Sequence, residues 1–460
     1  MHQRIISYFI LISAIATLLA LPTQAIEFPS LGFEAASMGG AGVASANGSF
    51  APYYNPALLP EHSNGFEMSV STGVGIREVN VVDHIDNLAE IGIEDTFSQV
   101  EDEAFADPCI DWSSGTLTFY AGLDPNVRED IRAIKHELDS IANDMNGIQI
   151  MPSLTVAMQV WNLGFGVYGI SEATAYGIID PERTDFIVED SGVYVRYDPN
   201  TDQLILTDPN DYRNNSLQYA VEGDPNDPDV NPTTYLKLAG LAYMEIPISY
   251  GHKFITSDWG DINVGASFKL MPGYTYDHEI KLDTESGDLE DQMEDAQKSD
   301  MSWGIDLGVL YKPVVLPNLT IGLAAKNINT PKFETATGGH FEVKPQIRAG
   351  FAYKLWENRI TMALDMDLTK NETFIPDYDS QYIGGGINFH PLSWFSLRAG
   401  AMSNIQESIE GTVLTGGLSL GIKWLQIDVA GQYSMKEGEF DGSKIPRYSK
   451  VQVALVSKWF

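Results

Sequence analysis

Residues 301–312, "MSWGIDLGVLYK", alternate between apolar side chains and small or polar ones along their whole length. Trp303 and Ile305 share one parity, whereas Gly304 and Asp306 share the other. Successive side chains of an extended strand point to opposite faces, so this stretch predicts a β-strand with one apolar and one polar face. Such strands build soluble sandwiches and membrane barrels alike, and the lengths of the connections distinguish the two.

The same alternation recurs from residue 65 to the end of the chain. Several segments are about 10–13 residues long, which exceeds the ~5–6 residues of typical globular strands and suits a tilted bilayer crossing. We predict fourteen strands, at residues 65–77, 148–160, 163–171, 235–250, 262–272, 300–312, 318–328, 345–355, 358–368, 381–389, 394–402, 411–422, 425–434 and 448–460. Segment 115–123 is ambiguous, because one further strand there would need a partner.

The predicted connections alternate between tight turns and long polar loops, of which 172–234 and 273–299 are the longest. Trp161, Trp259 and Trp356 lie in or beside the short turns, as the aromatic girdle at a membrane interface requires. Short turns on one side and long loops on the other are typical of outer-membrane barrels. The predicted fold class is therefore all-β and transmembrane: a 14-stranded antiparallel outer-membrane β-barrel.

The first 25 residues are typical of an export signal. Arg4 supplies a positive start, residues 5–21 are nearly all apolar, and Ala25 ends a small-residue cleavage site. We therefore predict a signal peptide over residues 1–25, cleaved after Ala25. Together with the barrel, it predicts the outer membrane of a Gram-negative bacterium as the final location.

Composition excludes several classes of function. Cys109 is the only cysteine, so no intrachain disulfide forms, and a net charge of −35 argues against nucleic-acid binding, which needs Lys and Arg. The sequence contains no HExxH motif, and its eight histidines are scattered. We expect a protein that is not an enzyme, with no catalytic residues, no cofactor and no metal site.

The segment ahead of the first strand contains the Gly-rich run "MGGAGVASA" at 38–46 and "APYYNPALL" at 51–59. A signal, these two runs and a 14-stranded barrel together resemble the FadL/TodX superfamily of outer-membrane transporters. The resemblance implies that residues 26–64 form a hatch, or plug, inside the barrel of residues 65–460. The hatch or gating residues it implies are Gly39, Gly40, Gly42, Tyr53, Tyr54, Asn55, Pro56 and Ala57.

Small residues suit such a hatch, because glycine lets the backbone pass close to a wall, and Asn55-Pro56 favours a turn into the first strand. The alternative is a disordered linker. The large side chains of Tyr53, Tyr54 and Leu58 argue against a linker, which has no need of them.

Acidic helical segments follow the first strand. "DHIDNLAEI" at 83–91 and "NVREDIRAIKHELDSIANDMNG" at 126–147 resemble the barrel branch known as TraF-like proteins of plasmid-transfer operons. Apolar residues of 127–145 recur at helical spacing, so we predict a helical insert over 79–146 on the extracellular side. Its role is either to cap the pore or to dock a partner.

The parity opposite to the apolar one carries charged residues, which we expect to face the lumen. The candidates are Glu67, Lys269, Asp306, Arg348, Arg359, Asp365, Asp367 and Arg398. Arg348 and Asp365 fall nearly opposite each other across the turn at Trp356. These charges form either a structural salt-bridge lattice or the lining of a polar conduit, and a one-residue slip in register would reverse every assignment.

The acidic loop 172–234 repeats Asp-Pro turns. Asp198, Asn200 and Asp202 are spaced like the start of a calcium loop, but Gln203 occupies the position of the required Gly. Solvated Asx turns are the preferred interpretation, with a surface hairpin formed by residues 193–197 and 204–207.

These observations favour passive, hatch-gated passage of small hydrophobic or amphipathic compounds across the outer membrane. One alternative is a non-enzymatic assembly or interaction component of a conjugative-transfer or secretion apparatus. Another is a closed barrel whose loops serve as surface receptors. The expected partners are outer-membrane lipid, the barrel-assembly machinery through the C-terminal Phe460, and a small hydrophobic ligand. The oligomeric state stays open.

Overall fold

The computed structural model describes residues 27–62, 65–105, 123–224, 230–256, 258–281, 296–422, 424–440 and 442–459. The predicted signal peptide, Cys109 and Phe460 lie outside these ranges, and so does nearly all of segment 115–123. Of the described residues, none forms a helix that is long and apolar enough to cross a membrane.

Fourteen strands form a closed antiparallel barrel in which each strand pairs with its neighbours in chain order. The barrel closes between the first and last strands, where Phe66 pairs with Trp459 and Arg77 with Tyr448. The barrel strands are β1 (Phe66–Val79), β2 (Gly147–Val160), β3 (Leu163–Ile178), β7 (Tyr235–Thr256), β8 (Gly260–Ile280), β9 (Gln297–Pro313), β10 (Leu319–Lys326), β13 (Gln346–Leu355), β14 (Ile360–Asp367), β17 (Tyr382–Leu392), β18 (Phe395–Asn404), β19 (Thr412–Ile422), β20 (Leu425–Ser434) and β23 (Tyr448–Trp459). The predicted barrel is confirmed, with most strand ends shifted by a few residues.

Short elements occupy the connections and the N-terminal segment. The remaining strands are β4 (Ile187–Asp190), β5 (Val193–Asp198), β6 (Gln203–Thr207), β11 (Lys332–Glu334), β12 (His340–Glu342), β15 (Asn371–Glu372), β16 (Asp379–Ser380), β21 (Glu437–Phe440) and β22 (Ser443–Pro446). The helices are α1 (Phe33–Ser37), α2 (Ala51–Tyr54), α3 (Val81–Ile91), α4 (Ile93–Phe105), α5 (Pro125–Asn143), α6 (Pro209–Asn215) and α7 (Leu217–Glu222), with 3₁₀ turns at Gly48–Phe50 and Pro56–His62.

The wall has the polarity of a membrane barrel. In β1 the side chains of Val70 and Val74 are exposed on the outer surface, whereas Glu67, Ser69 and Arg77 are buried on the inner one. An apolar outside, a polar inside and an even number of antiparallel strands define the outer-membrane barrel architecture. The end that carries the short turns is the periplasmic end of such barrels, and we call it the turn end; the opposite end is the loop end.

Helices and strands at the loop end form a separate body, which we call the outer module (residues 81–105, 123–143 and 179–222). Its apolar core joins α4 and α5 to the three-stranded sheet β4–β5–β6. Ile131 and Ile134 of α5 are fully buried in this core. The rings of Phe97 and Phe186 are stacked, with their centres 4.4 Å apart. The helical spacing of 127–145 therefore marks a helix that packs on a sheet.

The predicted hairpin of loop 172–234 forms between β5 and β6. Asp198 accepts a hydrogen bond from the backbone N–H of Asn200 at 2.9 Å, which is an Asx turn, and Asp202 accepts one from the Tyr197 hydroxyl at 2.7 Å. Throughout the described ranges, no group of three His, Cys, Asp or Glu side chains is placed to hold a metal ion.

One predicted pairing is wrong by two residues. Arg348 pairs in register with Asp367, whereas Asp365 lies opposite Gly350. A tight two-residue turn at Trp356 would bring Arg348 opposite Asp365. Instead, the strands end at Leu355 and Ile360 and enclose a four-residue turn that begins with three left-handed residues, at φ values of 48°, 52° and 67°.

The longer turn also displaces Arg359, which the sequence assigned to the lumen. Arg359 lies in the turn and is exposed, with its guanidinium carbon 5.6 Å from the centre of the Trp356 ring. It therefore belongs to the turn end of the wall and not to the interior.

Candidate functional site

Residues 27–62, which we call the luminal segment, lie inside the barrel. They contribute helices α1 and α2 and two 3₁₀ turns, and most of their side chains are buried. Their polar contacts reach strands on all sides of the wall: Asn263 of β8 donates to Ala57, Gln432 of β20 to Ala36, and Gln452 of β23 to Ser30. A segment with contacts in every direction around a closed sheet fills its interior.

An aromatic cluster holds the luminal segment together. The ring centres of Tyr53 and Tyr54 lie 5.0 Å apart. The Phe28 ring centre lies 5.3 Å from that of Tyr53 and 5.7 Å from that of Tyr54. The hydroxyls of Tyr53 and Tyr54 donate to the carbonyls of Pro29 and Leu31. Burial raises the pKa of both phenols, so they stay protonated donors. These two tyrosines therefore fold the two halves of the segment onto each other.

Asn55 links the luminal segment to itself and to the wall. Its side-chain amide donates to the carbonyls of Val43, at 3.0 Å, and of Val309 in β9, at 3.3 Å. Its side-chain oxygen accepts the backbone N–H of Ala57 at 3.0 Å. Because one side chain satisfies three backbone groups in a buried place, an apolar replacement would leave them without partners.

Glycines in the wall make room for this turn. A Cβ atom at Gly308 would lie 1.9 Å from the Asn55 side-chain oxygen, and one at Gly265 would lie 2.3 Å from the Pro56 carbonyl carbon. Gly39 approaches another part of the wall as closely. A Cβ atom at Gly384 would lie 2.0 Å from the Gly39 carbonyl oxygen. The backbone of the segment thus rests directly on the backbone of the wall.

Two wall side chains hydrogen-bond the Gly-rich run. One carboxylate oxygen of Asp365 accepts the backbone N–H groups of Gly42 and Val43, both at 2.8 Å. Thr415 accepts the N–H of Gly39 at 2.9 Å. Gly40 lies nearby with φ +82°, a conformation that a side chain would strain. Asp365 therefore binds the luminal segment, while Asp367 binds the wall.

The middle of the lumen contains a balanced cluster of two cations and two anions. Lys269 contacts Glu245 at 2.7 Å and Asp306 at 2.9 Å, and Lys326 contacts Glu245 at 3.2 Å. All four side chains are buried. The Lys326 ammonium also lies 3.5 Å from the centre of the Tyr53 ring, a cation–π contact between the wall and the luminal segment.

Arg348 forms a second cation–π contact between the wall and the luminal segment. Its guanidinium binds Asp367 at 2.5 Å, donates to the Phe28 carbonyl at 3.1 Å and lies 4.1 Å from the Phe28 ring centre. The ion pair stays within the wall, between β13 and β14, whereas the carbonyl and ring contacts belong to the luminal segment.

A cavity of about 620 Å³ lies at the turn end, beneath the luminal segment. Arg398 lines it and contacts Asp428 at 3.3 Å and Glu34 at 3.7 Å. Glu67 also lines it and accepts both the N–H and the hydroxyl of Ser49. Burial lowers the pKa of His62, another lining residue, so its ring is neutral near pH 7.

At the loop end, Arg77 is the centre of a fully buried group. It contacts Glu27 at 2.6 Å and Glu410 at 2.5 Å, and donates to the Tyr382 hydroxyl at 3.0 Å. None of these four residues is among the lumen candidates predicted from the sequence. Strand alternation places Arg77 inside, but Glu27 comes from the luminal segment and Glu410 from a loop, where alternation gives no signal.

Seven of the eight charged lumen candidates lie inside the barrel, and Arg359 does not. All eight predicted hatch residues lie in the buried luminal segment. Fold and interior together define the class: an outer-membrane β-barrel whose lumen is filled by its own N-terminal segment.

The family model described as "F plasmid transfer operon, TraF, protein" matches residues 52–367, and the chain belongs to this family.

Among solved structures, the chain is similar to the toluene transporter TbuX of Ralstonia pickettii, with TM-score 0.45, 14% identity and coverage of 94% of this chain and 99% of that one. It is also similar to the toluene transporter TodX of Pseudomonas putida, with TM-score 0.44, 12% identity and coverage of 95% and 99%. A Pseudomonas aeruginosa FadL homologue gives TM-score 0.43, 9% identity and coverage of 95% and 98%. No curated protein matches the sequence. The TraF-like resemblance inferred from the sequence is confirmed by the family model.

Proposed function

We propose that this barrel allows passive passage of small hydrophobic or amphipathic compounds across the outer membrane, with the luminal segment as its gate. One observation carries the proposal: the described part of the luminal segment fills the lumen without pairing to any barrel strand. The wall closes through β1 and β23 alone. Movement of the segment therefore breaks no strand ladder, and the barrel can stay folded while its interior changes.

The contacts between segment and wall support such movement. Besides ion pairs such as Glu27–Arg77 and Glu34–Arg398, they include hydrogen bonds to backbone groups, as at Asp365, and cation–π contacts, as at Lys326. Water can replace these bonds, whereas the ion pairs Lys269–Glu245 and Arg348–Asp367 keep both partners in the wall. A ligand shifts the segment only if it binds the open arrangement more tightly than the closed one.

The aromatic cluster supports the proposed class of compound. Phe28, Tyr53 and Tyr54 of the segment contact one another, and Tyr168 of the wall packs on Tyr53 at 5.4 Å. Displacement of the segment's rings would leave an apolar surface on Tyr168, Tyr243 and Met271, which lie in the same buried cluster. Alkyl and aromatic probes are therefore the appropriate test compounds.

The experiment tethers the segment to the wall. The hydroxyls of Ser49 in the segment and Ser69 in β1 lie 2.6 Å apart, so Ser49→Cys with Ser69→Cys would form a disulfide. Ser249 in β7 and Ser267 in β8 have the same 2.6 Å separation within the wall and provide the matched control pair. All variants carry Cys109→Ser.

Each variant is reconstituted in liposomes for probe uptake and in planar bilayers for conductance, alongside a deletion of residues 28–54. We expect the deletion to raise conductance and uptake, the oxidised 49–69 pair to abolish uptake, and reduction to restore it. The oxidised 249–267 pair should behave like the parent. A folded deletion barrel that stays silent to ions and probes would contradict the proposal.

The outer module favours a second candidate function, an assembly or interaction component of a transfer apparatus, in line with the family description. The module has its own apolar core, and a simple loop would need none. An assembly component should lose its function when the outer module is trimmed, and it should tolerate Asn55→Ala. Transport predicts that Asn55→Ala loses gating, seen as raised conductance, and that trimming of the module is tolerated.

A further inference from the structure

The cavity at the turn end, which we call the turn-end pocket, is large enough to hold a small molecule. Its volume of about 620 Å³ lies within the range of about 300–1,000 Å³ that is usual for small-molecule sites. Its rim includes exposed residues of the wall turns, such as Asn358 and Ser393, whereas Arg398 deeper in the lining is buried. A solute can therefore enter the pocket from the turn end.

The pocket lies between two parts of the molecule that no strand pairing joins. Glu34, Met38 and Asn47 line it from the luminal segment, and Asn388 and Arg398 line it from the adjacent wall strands β17 and β18. A molecule bound here contacts both parts. It therefore binds most tightly when the luminal segment is in place.

Several polar atoms of the lining have no hydrogen-bond partner among the described residues. They include two donors, Arg398 Nε and Asn47 Nδ2, and one acceptor, Asn388 Oδ1. Arg398 is 4% exposed and Asn47 is 6% exposed. Asn388 and Arg398 are register partners in neighbouring strands, which places a donor and an acceptor side by side. Because buried polar groups of native proteins are normally hydrogen-bonded, these atoms indicate a polar occupant.

The charges around the turn-end pocket cancel, so the occupant needs no net charge. Three carboxylates and three cations line it: Glu34, Glu61, Glu67, Lys354, Arg398 and Lys458. Behind the lining, Lys312 contacts Glu61 and Asp428 contacts Arg398, which adds one charge of each sign. An ion of either sign would give up its hydration here without meeting a net opposite charge.

An apolar compound does not suit the pocket either, because it would cover Arg398 Nε and Asn388 Oδ1 and leave both without partners. A hydroxyl group suits both atoms, since it donates one hydrogen bond and accepts two. The hydroxyl side chains of Thr361 and Ser396 in the lining add groups that can donate and accept. The lining therefore favours an uncharged compound that carries several hydroxyl groups.

We propose that the turn-end pocket binds an uncharged polyhydroxyl compound, a sugar or a polyol, that enters from the periplasmic side. Its hydroxyl groups bind Arg398 and Asn388 of the wall and Asn47 of the luminal segment. Because the ligand bridges the two parts, it stabilises the arrangement in which the segment rests on the wall, independently of what the barrel transports.

The experiment measures the protection of a cysteine in the pocket of the full chain in detergent. Ser396→Cys, at a lining position that is 8% exposed, is combined with Cys109→Ser and labelled with a small thiol reagent. Ser443→Cys in the same background, at an exposed position of the loop-end hairpin β21–β22, is the control. The polyhydroxyl probes are myo-inositol, glucose, N-acetylglucosamine and maltose. Phosphate, tetramethylammonium and cyclohexane represent anions, cations and apolar compounds.

We expect at least one polyhydroxyl probe to slow the labelling of the Ser396→Cys chain several-fold, and no probe to slow that of the Ser443→Cys chain. Equal or stronger protection by phosphate, tetramethylammonium or cyclohexane would overturn the proposal, because it would assign the pocket to another class of ligand. Absence of protection by all four polyhydroxyl probes would show a hydrated cavity only and would overturn it as well.

Asn388→Leu removes the wall acceptor and keeps a side chain of similar size. With this substitution, half-protection should need about a tenfold higher probe concentration, because a hydrogen bond in a buried place is lost. Asn210→Leu, the same substitution at an exposed position of α6, should leave the protection unchanged. An Asn388→Leu chain that is protected as well as the parent would contradict the assigned contacts.

Calorimetric titration covers the case in which Ser396→Cys disturbs the pocket. The same probes are titrated into the unsubstituted chain and into the deletion of residues 28–54, which removes Glu34, Met38 and Asn47. We expect binding of a polyhydroxyl probe to the unsubstituted chain and none to the deletion. Equal binding to both would place the site away from the luminal segment and overturn the proposal, whether or not the deletion conducts ions.

Discussion

The lumen and the outer module bury opposite kinds of side chain. In the lumen, Lys269 and Glu245 are almost completely buried, while Leu154 of the same wall is 59% exposed on the outer surface. In the outer module, Ile131 and Ile134 are fully buried, whereas the charged Arg132 between them in the chain is 55% exposed. The chain reverses its pattern where its surroundings change from lipid to water.

This contrast shows what holds each region together. The wall is held by its closed ladder of backbone hydrogen bonds, so its inner face is free to carry charges as long as they are paired. The outer module has only a three-stranded sheet and helices, so it depends on burying apolar surface. Substitutions should therefore affect the two regions by different mechanisms.

Lys269→Ala should produce the largest effect, because it leaves Glu245 and Asp306 facing each other with only Lys326 as counter-charge. Removal of one partner from a buried ion pair costs about 3–5 kcal/mol. We expect a markedly lower temperature for loss of the compact gel mobility of the folded barrel.

The matched control is Lys298→Ala. Lys298 contacts Glu334 at 2.8 Å, a distance like those of Lys269, but both side chains are exposed. Exposed pairs contribute about 0–1 kcal/mol, so little change is expected. Equal effects of the two substitutions would mean that the lumen is as well hydrated as the surface.

Alternation predicted the wall because one rule applies to every strand: outward residues meet lipid and inward residues meet the lumen. It placed all fourteen strands and the inward parity of Lys269 and Asp306. It did not predict which inward charges meet. Lys269, Glu245 and Lys326 come from β8, β7 and β10, and their contact depends on barrel closure and stagger, which no single segment encodes.

Ile134→Ala tests the other side of the comparison. Ile134 of α5 is fully buried in the core of the outer module, and removal of such a side chain costs roughly 2–5 kcal/mol. We expect the module to become sensitive to limited proteolysis while the barrel keeps its gel mobility. Ile85→Ala, at a position 46% exposed, is the control. Loss of both module and barrel would show that they fold as one unit.

The Trp356 turn and the partners of the luminal segment could not be predicted from strand alternation. The misplacement of Arg348 against Asp365, and of Arg359 in the lumen, both follow from a turn two residues longer than predicted. The partners of the luminal segment were also out of reach, since Gly308 and Gly265 look like ordinary small residues of a strand until Asn55-Pro56 rests on them. Contacts between segments that are distant in sequence form only when the barrel closes, so no single segment predicts them.

The smallest expected effect concerns pH and the outer module alone. Partial burial by itself would raise the pKa of Asp211, but hydrogen bonds from Thr207 and Asn215 and the charge of Arg196 outweigh it and lower that pKa. A carboxyl with a lower pKa in the folded than in the unfolded state stabilises the fold above its unfolded pKa of about 3.9. This contribution is lost as the pH falls through the lower, folded pKa.

Asp211→Asn should therefore flatten the acid dependence of module stability. Between pH 7 and pH 3, proteolysis should show a loss of stability in the parent that exceeds that of Asp211→Asn, by at most about 1 kcal/mol because the site is partly solvated. Asp190→Asn, at an exposed end of β4, should follow the parent. The barrel should not respond to either change, because the hydrogen-bond partners of Asp211 among the described residues, Arg196, Thr207 and Asn215, all belong to the module. Equal acid dependence in parent and Asp211→Asn would mean that these hydrogen bonds persist in the unfolded module.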